Sequence, residues 1–208
     1  MMPAPDPRLR FDETFAGLEE IPRAFLRGDT VRAARGLIGA WIARRYGGHW
    51  YGARIVETEA YLGRDDPAAH SCRGRRTPRV EPMYRDGGHL YVYLVYGMHH
   101  CANVVTRTEG LAEAVLLRAA EAPGEGPEKL LSGPGRLAKG LGITVAASGM
   151  DLLAGGKIRL ARGPDRPRTI RATPRIGVAY AGEAAGWPLR FFDAHSRAVS
   201  GPARLNRV

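Results

Sequence analysis

The stretch RIVETEAYLG, residues 54–63, places two carboxylates and a tyrosine at alternate positions, Glu57, Glu59 and Tyr61. Side chains of a β-strand alternate between its two faces, so in a strand these three and Ile55 would lie on one face. A carboxylate beside an aromatic ring can deprotonate a water molecule while the ring stacks on a flat ligand. For an isolated Glu-x-Glu pair, the solvated face of an edge strand is the simpler explanation.

A second cluster, YVYLVYGMHHCAN at residues 91–103, contains three tyrosines. Tyr91 and Tyr93 would share one strand face, and Tyr96 would lie on the other, next to a glycine turn. Half-buried aromatics of an ordinary sheet are one explanation of this pattern. Together with Tyr61, the tyrosines can instead form a slot for a flat ring, and aromatic faces attract a planar cation.

Histidines and cysteines near these tyrosines suggest a zinc site as an alternative. The candidate ligands are His70, Cys72, His99, His100 and Cys101. Their spacing matches neither CxxC nor HExxH, and it lacks the H-x-E…P-C-x-x-C pattern of zinc base deaminases. We therefore expect packing or hydrogen-bonding roles for these side chains, with neither a metal nor another cofactor.

The chain of 208 residues has 31 Lys and Arg against 21 Asp and Glu, which gives a net charge of +10. This charge indicates an anionic partner, either nucleic acid or an anionic membrane surface. No apolar run is long enough to span a bilayer, and the opening MMPAPDPRLR has no apolar signal-peptide core. With only two cysteines as well, we expect an intracellular, cytoplasmic protein without disulfides.

The pattern of apolar and turn residues predicts a mixed α+β domain. Helices are expected in GDTVRAARGLIG, with Asp29 as N-cap, and in SGPGRLAKGLGI. Gly47 and Gly48 would join the strands AWIARRY and HWYGARIVETEAYL in a hairpin. Further strands are predicted in HLYVYLVY, MHHCANVVT, AEAVLLRAAEA, KIRLARG, RIGVAYA and LRFFDA. Residues 1–12 would be a flexible arm and residues 13–208 a single domain.

Six sequence blocks resemble, in the same order, the alkyladenine (3-methyladenine) DNA glycosylase family. They are RIVETEAYLG, AAHSCRGRRTPR, LYVYLVYGMHHCANVV, LLRAAEA, LSGPGRLAKGLGI and RIGVAYAGE…PLRF, and they cover nearly all of residues 29–192. The resemblance implies a curved central antiparallel β-sheet flanked by helices, with a protruding β-hairpin. It also implies a monomeric, nucleoid-associated base excision repair enzyme without cofactor. This enzyme would flip alkylated or deaminated purines, such as 3-methyladenine, hypoxanthine or ethenoadenine, out of double-stranded DNA and hydrolyse the N-glycosidic bond.

The resemblance also implies catalytic roles for single residues. Glu59, and not Glu57, matches the catalytic glutamate, and Arg118 and the backbone carbonyl of Ile176 would help to hold the attacking water. The resemblance assigns no role to Glu57, which we expect to be structural and paired to an arginine. A lyase needs an amine nucleophile, and none of the three lysines lies in these motifs, so we expect no AP-lyase activity.

The remaining implied roles concern base and DNA binding. Two tyrosines would sandwich the flipped base, a histidine would hydrogen-bond it and an asparagine beneath it would help to exclude guanine; these are Tyr61, Tyr93, His70 and Asn103. Tyr96, with Met98 nearby, matches the wedge that replaces the flipped nucleotide in the base stack. Arginines of the RGRRTPR loop would bind phosphates, namely Arg73, Arg75, Arg76 and Arg79.

Two other classes of function remain open at this point. A non-catalytic nucleic-acid binding module would explain the charge and the aromatics but gives Glu59 no role. A zinc-dependent base deaminase would use the histidines and cysteines but has poor ligand spacing.

Overall fold

A computed structural model describes residues 1–11, 18–124, 127–163 and 169–206. Within these residues, ten strands form one antiparallel sheet. The strands are Glu19–Glu20 (β1), Trp41–Tyr46 (β2), His49–Tyr61 (β3), Leu90–Val95 (β4), His99–Thr106 (β5), Glu113–Glu121 (β6), Leu131–Ser132 (β7), Ile158–Arg162 (β8), Ile170–Thr173 (β9) and Arg190–Asp193 (β10). The α-helices are Arg23–Arg27 (α1), Thr30–Gly36 (α2) and Pro134–Gly140 (α3).

The sheet is organised around the 13-residue strand β3. The main strand order is β1-β8-β2-β3-β6-β5-β4, while β10 pairs with both β3 and β9, and β7 pairs with β6. The first half of β3 pairs with β2, and its second half lies between β6 and β10. The expected α+β class, with a curved antiparallel sheet and a β4–β5 hairpin, is confirmed.

Local signals in the sequence explain several of these elements. The carboxylate of Asp29 accepts a 2.8 Å hydrogen bond from the Arg32 N–H and so caps α2, as predicted. Gly47 and Gly48 have φ of 57° and 85°, the positive values that a tight hairpin turn requires. Helix α3 begins at Pro134, whose ring restricts φ to helical values and whose missing N–H costs no hydrogen bond there.

One face of the sheet packs against helices α2 and α3 in the main hydrophobic core. Ala33 and Ala34 of α2 and Leu137 of α3 are fully buried there. Thr58 of β3 points to this side, since its hydroxyl donates a 2.9 Å hydrogen bond to the Ala34 carbonyl. The opposite face of β3 is therefore the one that can carry polar chemistry.

The alternation of side chains between the two faces of β3 is interrupted near Glu57. The expectation that Ile55 shares a face with Glu57, Glu59 and Tyr61 is therefore wrong. Ile55 does not share a face with Glu57: it lies in the main core with Ala60, whereas Val56 packs in a separate cluster. The pairing of β3 with β6 shifts register on both sides of Glu57. Such a bulge adds a residue to one strand and breaks the period of two.

The strand predicted in RIGVAYA is wrong. Gly177 has φ of 81°, and Ala179–Gly186 forms 3₁₀ turns with a kink at Gly182. The strand of this region is β9, which precedes the predicted segment and pairs with β10. Glycines with positive φ interrupt an extended chain, and the alanines around them have weak β-propensity.

The first residues are tied to the sheet. Leu9 is fully buried, and the Phe11 N–H donates a 3.1 Å hydrogen bond to the Trp50 carbonyl. Flexibility of residues 1–12, and their separation from a domain at 13–208, stay predictions; residues 12–17 lie outside the described part of the chain. In the part that is described, no helix has the length and apolarity needed to cross a membrane.

Candidate active site

The register of four neighbouring strands aligns the central residues of the site. Glu59 of β3 pairs with Leu116 of β6, which pairs with Asn103 of β5, which in turn pairs with Tyr91 of β4. Residues directly opposite each other in an antiparallel sheet share a face. The fold therefore brings together three residues that the sequence separates widely.

Glu59 is fully buried, and three groups hold its carboxylate. Oε1 accepts a 2.7 Å hydrogen bond from the Ile176 N–H and lies 3.3 Å from Nη1 of Arg118. Oε2 accepts a 2.9 Å hydrogen bond from the Tyr61 hydroxyl. The backbone N–H of Ile176 thus orients the carboxylate, while the water-holding role assigned to its carbonyl stays a prediction.

Glu57 has a different environment, although it is equally buried. Its Oε1 accepts from Nε of Arg118 at 2.9 Å and Nε of Arg190 at 2.6 Å, and Oε2 accepts from the Ser200 N–H at 2.6 Å. Burial raises the pKa of Glu57, but the charges of Arg118 and Arg190 and these hydrogen bonds outweigh it and bring the pKa below its usual value. The expectation that Glu57 is paired to an arginine is confirmed.

Tyr91, Tyr93 and His70 form one wall of the site. The centroids of the two tyrosine rings are 5.5 Å apart. The His70 ring meets the Tyr93 ring edge-on, with 4.5 Å between the centroids. Nδ1 of His70 is hydrogen-bonded to the Tyr91 hydroxyl at 2.8 Å. Burial, with the nearby charges of Arg79 and Arg75, lowers the pKa of His70 to about 4, so its ring is neutral at physiological pH.

Tyr61 lies over a buried ion pair that the sequence analysis missed. The Arg175 guanidinium is 4.8 Å from the Tyr61 ring centroid and makes two hydrogen bonds, of 2.5 and 2.8 Å, to Asp66. Arg175 also donates to the Ala60 carbonyl at 3.0 Å, directly between the two site residues of β3. The position of Arg175 immediately before Ile176, in a block that resembles the family, was the one signal that could have indicated it.

The tip of the β4–β5 hairpin presents the predicted wedge. Tyr96 and Met98 are 89% and 71% exposed, far more than most large apolar side chains in the protein. Tyr96 and Gly97 have φ of 50° and 69°, so the backbone turns sharply and projects Tyr96 outward. An exposed aromatic on a narrow turn has the shape of a group that inserts between bases.

Asn103 is buried beneath the tyrosine wall. Its Nδ2 donates hydrogen bonds to the carbonyls of Tyr91 at 3.0 Å and Cys101 at 3.3 Å, which fixes the amide. Its predicted role in excluding guanine stays a prediction.

The four arginines assigned to the DNA backbone are all exposed, but they are not equivalent. Arg76 is paired with Glu81 at 2.6 Å and covers the Tyr84 ring. Arg79 lies 5.5 Å from the Tyr93 ring centroid, at the rim of the site. Arg73 has φ of 58° in the turn Cys72–Gly74. Phosphate binding by these arginines stays a prediction.

The histidines and cysteines of the zinc hypothesis lie in different surroundings: His70 contacts Tyr91, whereas the side chain of His99 lies beside Gly135 of α3. Across the described ranges, no three His, Cys, Asp or Glu side chains are grouped so that they could hold a metal ion. Cys72 and Cys101 are free thiols, and burial raises the pKa of Cys101.

Comparison with known proteins identifies the class to which this site belongs. Residues 24–197 match the family model of methylpurine-DNA glycosylase (MPG), and the chain belongs to this family. Membership makes it a DNA glycosylase of the 3-methyladenine type, a hydrolase of N-glycosyl bonds that acts on DNA. The resemblance seen in the sequence blocks is thereby confirmed.

Three relatives cover most of the chain, and each carries the provisional name 3-methyladenine DNA glycosylase. A protein of Desulfitobacterium hafniense (strain Y51) is 42% identical over 202 residues, 88% of this chain and 99% of the relative. One of Bdellovibrio bacteriovorus is 45% identical over 185 residues, with coverages of 83% and 94%. One of Methanocella arvoryzae is 42% identical over 193 residues, with coverages of 86% and 95%.

Proposed function

We propose that this protein is a monofunctional glycosylase that flips alkylated or deaminated purines out of duplex DNA and hydrolyses their N-glycosidic bond. Substrates would be of the 3-methyladenine, hypoxanthine and ethenoadenine type. The observation that carries the proposal is Glu59, a fully buried carboxylate held by Ile176, Tyr61 and Arg118 at the base of a tyrosine-lined site. A module that only bound nucleic acid would have no need to bury and orient this group.

Glu59 would act on the sugar. As the bond between C1′ and the purine nitrogen breaks, its electron pair leaves with the base and positive charge develops on the sugar, as in other glycoside hydrolysis. A carboxylate stabilises that charge and accepts a proton from the water that attacks C1′. Arg118, with Nη1 beside Oε1 of Glu59, is placed to help hold this water.

Tyr61 and Tyr93 would bind the flipped base between them. Alkylation at a purine ring nitrogen gives the base a positive charge. The charged base is attracted to the aromatic faces more strongly than neutral adenine is. The same charge makes the base a better leaving group. His70, neutral and fixed through Nδ1 to Tyr91, would offer its other ring nitrogen to the edge of the base.

Extrusion of the base would depend on the hairpin tip. Flipping costs a few kcal/mol of lost stacking and pairing, less for a damaged or mispaired base. Tyr96 would fill the space left in the stack, with Met98 beside it. Arg79, at the rim of the site, would contact the phosphate backbone of the extruded nucleotide.

Strand cleavage is not part of the proposed reaction. A lyase attacks the sugar with an amine; of the three lysines, Lys129 donates a hydrogen bond from its ammonium to the Val199 carbonyl at 3.0 Å. The purified protein should act as a monomer and leave an abasic site that breaks only on later alkali treatment.

The test is incubation with duplex oligonucleotides that carry 3-methyladenine, hypoxanthine or ethenoadenine, with release of free base measured directly. Free base without strand breakage supports the proposal. Deamination in place would indicate base deaminase chemistry, and tight lesion binding without turnover would indicate a binding module. Glu59→Gln serves as the inactive control.

A further inference from the structure

A cluster of charged and polar side chains lies directly behind Glu59, and the mechanism above does not use all of it. Glu57, Arg118, Arg190 and Ser200 are each 7% exposed or less. Ser200 comes from the C-terminal segment, three residues beyond the end of the family-model match at residue 197. Ser200 is buried beside two arginines and a glutamate, so its contacts can affect the side chains around Glu59.

Three contacts fix the plane of the Arg118 guanidinium. Nε donates to Oε1 of Glu57 at 2.9 Å, and Nη2 donates to Oγ of Ser200 at 3.1 Å. Nη1 is then the nitrogen that faces Glu59, at 3.3 Å from Oε1. Arg118 therefore meets Glu59 with one nitrogen and not with the two-pronged geometry that arginine and carboxylate favour.

The Ser200 hydroxyl links the two partners of this arrangement. Its oxygen accepts from Arg118, and its proton is donated to Oε1 of Glu57 at 3.0 Å. A hydroxyl can do both at once, since it has one donor and free acceptor capacity. The Ser200 N–H, at 2.6 Å from Oε2 of Glu57, fixes the backbone beside it.

The segment that follows Ser200 is held in place by the second arginine. Arg190 donates to the carbonyls of Ser200 at 3.2 Å and Leu205 at 3.0 Å, and to Oδ1 of Asn206 at 2.7 Å. Gly201, with φ of 79°, passes so close to Ile176 that a β-carbon there would lie 2.9 Å from its Cδ1. The same segment thus contacts the residue whose N–H orients Glu59.

We propose that Ser200 is a positioning residue of this glycosylase: its hydroxyl holds the Arg118 guanidinium so that only Nη1 faces Glu59. The inference rests on the proposed role of Glu59 as the base. Without the hydroxyl, Nη2 of Arg118 loses its acceptor, and the guanidinium can turn to form a two-pronged ion pair with Glu59. Such a pair occupies the carboxylate oxygens that must accept the proton of water, so catalysis slows although the base still binds.

The test compares single-turnover base release by Ser200→Ala, Ser200→Thr and the control Ser132→Ala. The Ser132 hydroxyl donates to the Val199 carbonyl at 3.3 Å, so the control removes a hydrogen bond to the same segment without touching Glu57 or Arg118. We expect Ser200→Ala to slow base release by roughly 10- to 100-fold, as for a group displaced by about 1 Å. Lesion-DNA affinity should be unchanged, and Ser200→Thr and Ser132→Ala should remain near the wild-type rate.

Circular dichroism and thermal melts measure the folded fraction of each variant. Should Ser200→Ala fold poorly, Ser200→Val is compared with Ser200→Thr, because this pair has the same shape and differs in the hydroxyl. Equal rates for variants with and without the hydroxyl, or a loss of activity that only follows the loss of folded protein, would overturn the inference. Failure of the wild-type protein to release any base would instead reject the proposed function itself, so the two failures are distinguishable.

Discussion

The Tyr61 hydroxyl donates a 2.9 Å hydrogen bond to Oε2 of Glu59, the carboxylate two residues earlier on the same strand. Burial and the adjacent charge of Glu59 raise the pKa of Tyr61 well above its usual value, so the hydroxyl stays protonated and remains a donor. In the proposed function, this single side chain would therefore offer its ring to the base and its hydroxyl to the carboxylate of Glu59.

Tyr61→Phe separates these two tasks. The ring remains, so affinity for lesion DNA should change little, while base release should fall by about 10- to 100-fold, the effect of losing a hydrogen bond to a charged group. Single-turnover kinetics and a binding titration measure the two quantities. Tyr46→Phe, at a half-exposed tyrosine of β2, is the matched control. A loss of affinity equal to the loss of rate would contradict this division of roles.

Glu59→Gln and Glu57→Gln should fail in different ways. Glu59→Gln keeps the shape of the side chain but cannot accept a proton, so base release should fall by ~10²–10⁴ while lesion binding persists. Glu57→Gln leaves Arg118 and Arg190 buried with one negative charge fewer, and should cost on the order of 3–5 kcal/mol of stability. Single-turnover rates measure the loss of activity in both variants, and thermal melts measure their loss of stability. An active Glu59→Gln would contradict the assignment of the base.

Tyr96→Ala should leave the fold intact, because this side chain is 89% exposed. We expect affinity for a lesion in duplex DNA to weaken by about 1–3 kcal/mol, the contribution of one aromatic–base stack. A lesion in single-stranded DNA should be affected less, since less stacking has to be replaced. Equal losses on both substrates would mean that Tyr96 does not act as a wedge.

His70 should make the stability of the protein depend on pH. Its pKa is about 4 in the folded protein against 6.5 when unperturbed, so between these values the unfolded chain binds more protons. The free energy of unfolding should therefore fall as pH decreases from about 6.5 to about 4, by on the order of 1–3 kcal/mol. Denaturant unfolding of wild type and His70→Gln at pH 7 and pH 4.5 measures the effect. An equally steep loss in His70→Gln would assign it to other groups.

Asn103→Ser tests selectivity. The amide is buried and fixed by two backbone carbonyls, so a smaller side chain should open space beneath the proposed position of the base. Excision of intact guanine should rise relative to that of the preferred lesion, measured by competition on one oligonucleotide. An unchanged ratio would show that guanine is excluded elsewhere.

The parts of this structure that the sequence predicted are those with short-range signals. The cap at Asp29, the glycine turn after β2 and the positions of strands β2 to β6 each depend on neighbouring residues, and each is confirmed. The bulge beside Glu57 depends on how β6 pairs with β3, which no local pattern encodes. The strand predicted in RIGVAYA is wrong because the glycine at position 177 takes a positive φ.

The candidate site shows the same limit. Glu59 and Tyr61 stood out because their spacing was visible in one short stretch. The Asp66–Arg175 pair joins residues 109 apart, and the Glu57–Ser200 contact joins residues 143 apart. Contacts between residues so far apart in the sequence form only when the chain is folded, so composition and periodicity do not predict them.

The second half of β3 contributes one face to the main core and the other to the candidate site. Thr58 and Ala60 are buried towards helix α2 and the main core, while Glu59 and Tyr61 face the site. We therefore expect substitutions at neighbouring positions to act differently: those at 58 or 60 should lower the amount of folded protein, and those at 59 or 61 should lower the activity of protein that still folds. Changes that preserve both folding and activity are therefore expected mainly outside this half of β3, in the loops and the hairpin that surround the candidate site.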